Sequence, residues 1–171
     1  RQNFDIEAKT VPVYGFDCFN ANPAANLAQR EGILFVASFR HTPNGDGAQW
    51  FMSEVMPRVW DKQPRANIAL VGSHPTDEIK AMASDRVLVT GFVTDEELNA
   101  WYGRARVAVA PLRFGAGIKG KVVESLAHGL PIVTTSTGFG RAQPPTTIPT
   151  SISTQIFIRP RISILPLRLQ P

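Results

Sequence analysis

Apolar residues fall into short blocks from about residue 32 onward, and polar stretches with helical spacing separate them. Ile33-Leu34-Phe35-Val36-Ala37 is a continuous apolar run, the pattern of a strand covered on both faces. Asp46-Gly47-Ala48-Gln49 has the form of a capping box, and Trp50, Val55, Met56 and Val59 follow at helical spacing, so a helix is expected to open there. Ile68 to Gly72 reads as a second strand, Asp77 to Ala83 as a short helix and Val87 to Gly91 as a third strand. Thr94-Asp95-Glu96-Glu97 is a second capping box and opens a helix through Trp101. Val107 to Ala110 is a fourth strand. A helix from about Gly120 to His128 is stopped by Gly129 and Pro131, and Ile132 to Thr135 is a fifth strand. Strands alternating with helices predict the α/β class, with a parallel sheet, right-handed crossovers and helices on both faces. In such sheets ligands bind beyond the carboxyl ends of the strands, where strand order reverses. That directs attention to the loops after strands one and four, Ser38 to Gly47 and Arg113 to Gly120.

Composition divides the chain into three parts. Residues 1–31 mix short apolar pieces with Asn, Pro and Ala and read as an interdomain segment or the start of the domain. Residues 32–140 form the α/β domain. Residues 141–171 hold six prolines and no acidic residue, and read as an irregular or foreign tail that gains order only if a piece such as Ile156-Phe157-Ile158 pairs with a partner. The formal charge of +4 belongs to that tail. Of 18 basic residues, Arg141, Arg159, Arg161 and Arg168 fall there, and the remaining 14 match the 14 acidic residues. A balanced body with no basic stripe is a poor binder of a phosphate backbone, so no nucleic-acid partner is expected. Cys18 is the sole cysteine, which excludes an intrachain disulfide and a thiolate metal site and fits a reducing, cytoplasmic setting. No apolar run reaches transmembrane length. The chain opens on Arg1 with a polar stretch, as a piece of a longer protein would.

The chemistry concentrates in Gly115-Ala116-Gly117-Ile118-Lys119-Gly120-Lys121. As G-x-G-x-x-G it matches a dinucleotide fingerprint, but it follows the fourth strand and no acid comes after Glu124 to hold a ribose. As a P-loop it ends on Val122, which has no hydroxyl for Mg²⁺, so a P-loop NTPase stays as an alternative only. The third reading takes in the helix that follows. Lys121, Glu124, Ser125 and His128 share one helical face, and Val122, Val123, Leu126 and Ala127 the other. A glycine loop then delivers backbone N–H groups and a lysine to a helix N-terminus, where an anion is welcome. A carboxylate one turn further in accepts from hydroxyls. Phosphate followed by polyhydroxyl is the profile of a nucleotide sugar.

The stretch from Gly115 to Thr135, with Glu124 and Gly129, resembles the signature helix of group 1 (family 4) glycosyltransferases. The run from Phe35 through Arg40 to Asn44 resembles the opening of the donor domain in those enzymes, and Val89 to Leu98 resembles a third stretch of it. The resemblance covers roughly residues 33 to 138. It implies the C-terminal, Rossmann-like half of a two-domain GT-B fold, with an N-terminal acceptor domain as its missing partner. It implies a UDP-, GDP- or ADP-sugar as substrate, no cofactor and no metal. Transfer would be retaining and metal-independent, in cell-surface polysaccharide or glycolipid synthesis. Arg40 and Lys121 would meet the diphosphate beside Gly117, Glu124 the ribose hydroxyls, and the backbone at Phe92 and Val93 the base. The longer parent would be cytoplasmic or peripheral to the inner membrane, touching the membrane only through its other half. Two positions depart from the family pattern. Ala116 stands where a first glutamate is expected, and Asp46 where a basic residue often follows the arginine.

Plainer readings stand beside these. A non-catalytic nucleotide-binding module of the same fold is the main rival. Arg40 and Lys119 read alone as solvated loop cations, and Lys121 with Glu124 as a helix-surface pair worth about 0.2–0.5 kcal/mol. His41, His74 and His128 lack metal-ligand spacing, with His128 placed to favour a helix C-terminus. Trp50, Trp60 and Trp101 fall on helical faces, as core residues do.

Overall fold

The computed structural model describes residues 29–117, 119–139 and 156–158. β1 (Ile33–Val36) leads into α1 (Thr42–Trp50), which runs through a π-helical segment (Phe51–Val55) into α2 (Met56–Lys62). Then come β2 (Ile68–Val71), α3 (Asp77–Lys80), β3 (Val87–Val89), α4 (Asp95–Arg104) and β4 (Val107–Ala110). α5 (Gly120–Ala127), β5 (Ile132–Thr135), α6 (Ser136–Phe139) and β6 (Ile156–Ile158) complete the described elements. The six strands form one parallel sheet in the order β3-β2-β1-β4-β5-β6. This is the expected α/β, Rossmann-like fold. β6 pairs with β5 through Val133 and Ile156, so a piece of the 141–171 region joins the sheet edge. Of the segment 1–31, only residues 29–31 are among those described.

The apolar strands are covered on both faces, as their composition requires. Phe35, Ile68, Leu70 and Val109 point to one face and pack with Ala48, Phe51, Met56 and Ile79 from the helices between β1 and β3. Leu34, Ala69, Val71, Ala108 and Ala110 point to the other and pack with Tyr102 of α4 and Val122 of α5. β1, β2, β4 and β5 thus split their side chains between two cores at a period of two, while Leu88 of the edge strand β3 is exposed. The tryptophans lie partly buried against these cores, Trp50 and Trp60 on the first and Trp101 on the second. Chain direction across the sheet reverses between β1 and β4, with α1 on one face and α5 on the other.

Local signals fix most element starts. Thr94 accepts from the Glu97 amide, and the Glu97 carboxylate accepts from the Thr94 amide over 2.8 Å, so the second capping box forms as read. The first does not. α1 opens one turn earlier, at Thr42, after an extended His41 and with Pro43 in its first turn. Proline fixes a helical φ where its missing N–H is not needed, which starts the helix ahead of Asp46. Two glycines hold the sheet's upper rim close. Gly72 has φ +137°, and a Cβ there would lie 1.9 Å from the Ala37 carbonyl oxygen. A Cβ on Gly47 would lie 2.9 Å from the Pro111 oxygen, which brings α1 tight onto the end of β4.

Candidate functional site

The strand order reverses between β1 and β4, and the two loops singled out from the sequence leave the carboxyl ends of these strands side by side. In the loop after β1, the Ala37 amide donates to Val71 O and the Phe39 amide to Ser73 O. Phe39 is buried with its ring edge-on to Phe35 at 5.9 Å. The loop is anchored at both points, and Arg40 is left exposed with no hydrogen bond or ion pair among the described residues.

In the loop after β4, Pro111 and Leu112 are buried and the chain then turns outward. Gly115 (φ +115°) and Gly117 (φ +83°) take left-handed conformations that favour glycine. Gly117 is exposed, with open space around it. Arg113 grips Asp46 with both Nε and Nη2, which ties this loop to α1. Asp46 therefore neither caps a helix nor faces a ligand alone. The Arg113 hydrogen bonds hold its carboxyl below the usual range, and Asp46 in turn raises the guanidinium. Lys119 bends back and donates to the Ala116 carbonyl.

α5 starts without a side-chain cap, so its first amides are not claimed by one. Lys121 does not pair with Glu124. Its Nζ reaches across the top of the sheet, donates to Asn44 Oδ1 of α1 over 2.7 Å and sits 4.9 Å from the Phe35 ring centre. Asn44 meanwhile donates its Nδ2 to Ser38 O over 2.9 Å, so one side chain joins the Arg40 loop to α5. No carboxylate lies within ion-pairing distance of Lys121 among the described residues. Burial first, and Lys119 second, push the amine down to about 8.

Glu124 turns the other way, toward α4, and accepts from the Tyr102 hydroxyl over 2.9 Å. The His128 ring stacks on Tyr102, 4.6 Å centre to centre. His128 is the C-cap of α5, at the helix end where the sequence put it, and burial lowers its pKa, favouring the uncharged imidazole. Ser125 was read on the same helical face as Lys121 and Glu124. It is buried and donates its hydroxyl to Lys121 O. Val122 is buried in the second core, so the P-loop position that would hold a metal points into the sheet.

Phe92 and Val93 stand after β3, at the edge of the sheet, three strand spacings from β4 or about 14 Å. Phe92 is 82% exposed, while Val93 packs on the second core. Their loop is pinned where the Gly72 amide donates to Gly91 O. The structure thus brings Lys121 to the Arg40 loop, and sets Glu124 toward α4 and Phe92 at the far rim. Asn44, Tyr102 and Arg113 were not singled out by the sequence. Asn44 lies inside a stretch that was, but its partner is 77 residues away. Among the described residues no three His, Cys, Asp or Glu side chains cluster as a metal site. No described helix is long and apolar enough to cross a membrane. A cleft lined by Gly32, Asn67, Arg86, Trp101 and Arg104 lies at the opposite, amino ends of the strands.

Comparison with known proteins agrees with this architecture. The profile of the family described as Glycosyl transferases group 1 matches residues 30–148. An uncharacterized 44.6 kDa protein in the cps region of Klebsiella pneumoniae is 26% identical over 130 residues. The match takes in 72% of this chain and 31% of that protein, so the chain spans about a third of this relative's length. The C-terminal domain of a glycosyl transferase group 1 family protein from Francisella tularensis superimposes with a TM-score of 0.53 at 17% identity, over 78% of this chain and 71% of that domain. At that identity the superposition speaks for the fold. The family profile takes in β1 to β5, both loops at the reversal of strand order and the whole of α5, and on that match the chain belongs to the group 1 glycosyltransferases.

Proposed function

We propose that this chain is the donor-binding half of a glycosyltransferase that transfers a sugar from a UDP-, GDP- or ADP-sugar, in the synthesis of a cell-surface polysaccharide or glycolipid. The observation that carries the reading is Lys121. Its amine is desolvated, has only the neutral Asn44 amide as hydrogen-bond partner among the described residues, and stands in the first turn of an eight-residue helix without a side-chain cap. A partly buried cation without a counter-ion is costly unless an anion arrives to meet it. A diphosphate does so, and gains charge-assisted hydrogen bonds from Lys121, Arg40 and the amides of the uncapped first turn of α5. In the proposed mechanism these groups stabilise charge developing on the diphosphate as the glycosidic bond to it breaks. Glu124 accepts from the ribose hydroxyls, and the Phe92–Val93 backbone borders the base. The cps-region relative fits a role in polysaccharide synthesis.

The test is calorimetry of UDP, GDP and ADP against the full chain and its Arg40→Ala, Lys121→Met and Glu124→Ala variants, with and without EDTA. One diphosphate is expected to bind, to survive EDTA and to weaken in all three variants. Glu124→Ala should cost about 1.5–3 kcal/mol of binding, the range for hydrogen bonds to a charged group. Binding that vanishes with EDTA, or variants that bind as the parent does, would overturn the assignment.

A further inference from the structure

Only part of the Glu124 carboxylate is open to a ligand. Tyr102 is 1% exposed and gives its hydroxyl to Oε2, while Oε1 takes no hydrogen bond among the described residues and is not sealed from solvent. The stacked His128 ring holds the phenol plane, with 7° between the two rings. Burial and the neighbouring Glu124 charge push the phenol far above its usual ionisation, so it stays a donor at any working pH. Tyr102 belongs to α4, whose capping box at Thr94 directly follows Phe92 and Val93. The amino end of one ten-residue helix therefore fixes the rim loop, and its carboxyl half grips Glu124.

We infer that Tyr102 is a positioning residue: from α4 it holds Glu124 so that Oε1 meets the ribose hydroxyls of a nucleoside diphosphate at a set distance from the Phe92–Val93 backbone, an inference that rests on the donor-binding reading of Glu124. A glutamate without this anchor spreads over several rotamers and must be ordered by the ligand itself. Base and ribose are in this way read from a single rigid element. Tyr102 acts through Glu124 and need not touch the ligand.

The full chain is titrated with UDP, GDP and ADP and with their 2′,3′-dideoxy counterparts. The parent should prefer the ribose form of its best-bound base by about tenfold or more. Glu124→Ala should abolish that preference. Tyr102→Phe should reduce it by about three- to tenfold while leaving inorganic pyrophosphate binding unchanged, because the phosphate end is untouched. If Tyr102→Phe keeps the parent's preference while Glu124→Ala loses it, the inference is overturned and the role of Glu124 stands. A parent without ribose preference, or a Glu124→Ala chain that keeps it, overturns both. A second measurement covers a Phe variant that fails to fold. The chain has two tyrosines, so 3-fluorotyrosine in a Tyr14→Phe background labels Tyr102 alone. Its ¹⁹F resonance should move with the ribose diphosphate and hold still with the dideoxy form. A resonance that ignores the ribose form sinks the inference.

Discussion

At the scale of single residues, the decisive feature is a charge kept where it is poorly solvated. Lys121 titrates near 8 in the folded chain, against 10.5 for a free lysine. Between those values the unfolded chain binds the proton and the folded chain does not, so stability rises with pH across the window from about 8 to 10.5 and is flat below it. At neutral pH Lys121 therefore opposes folding. Lys121→Met should stabilise the chain at pH 7 by about 1–3 kcal/mol and remove that part of the rise. Urea unfolding of both chains at pH 7, 9 and 10.5 gives the difference curve, and parallel curves would contradict the assignment. A bound diphosphate should return the amine to its charged form. Binding at pH 9 should then take up a fraction of a proton, seen as a calorimetric enthalpy that varies with the buffer's ionisation heat. Arg40, Lys121 and Glu124 were legible in the sequence as candidates because loop, lysine and carboxylate fall at fixed offsets. Their partners were not. Asn44 and Tyr102 reach them across 77 and 22 residues, and no periodicity along the chain reports such a meeting.

At the scale of elements, local rules and long-range contacts divide the work. β4 and β5 have the limits expected from their apolar runs, because both lie inside the sheet and are covered on both faces. β1, β2 and β3 end one or two residues early, where the chain leaves the sheet to build the rim. The start of α1 was misread because the capping-box pattern at Asp46 competes with Pro43, and the Asp46 carboxylate is taken by Arg113, 67 residues away. The capping box at Thr94 was read correctly because all its partners lie within one turn. Thr94→Ala should cost about 1 kcal/mol in denaturant unfolding, and an unchanged midpoint would deny the cap its role. Gly72→Ala should cost several times that. It meets both a φ of +137° and a carbonyl 1.9 Å from the new Cβ, so the ends of β1 and β2 must part. The Asp46–Arg113 link is half-exposed and should show a coupling below about 1 kcal/mol in a double-mutant cycle, fading in high salt.

At the scale of the molecule, the described residues carry the loops and the helix start proposed to hold the donor. Transfer needs an acceptor held in line with the sugar and water kept out, and positioning carries a large share of rate. The chain spans 31% of its Klebsiella relative. Alone it should bind a nucleoside diphosphate yet transfer no sugar. Radiolabelled UDP-, GDP- and ADP-sugars incubated with lipid and saccharide acceptors would test this, and turnover at ordinary enzyme rates would count against it. The seam between β1 and β4 bears on how the proposed donor site comes into being. Ile33 pairs with Val107 and Leu34 with Ala108, across most of the described chain. Arg40 and Asn44 belong to one side of that seam, Lys121 and Glu124 to the other. A chain in which only β1, β2 and β3 have assembled holds Arg40 without Lys121 or Glu124, and so only part of the proposed donor site. Contacts so distant in sequence tend to close late. Saturating nucleotide should therefore lengthen the lifetime of the folded chain without quickening its formation, since the transition state precedes the place where the ligand sits.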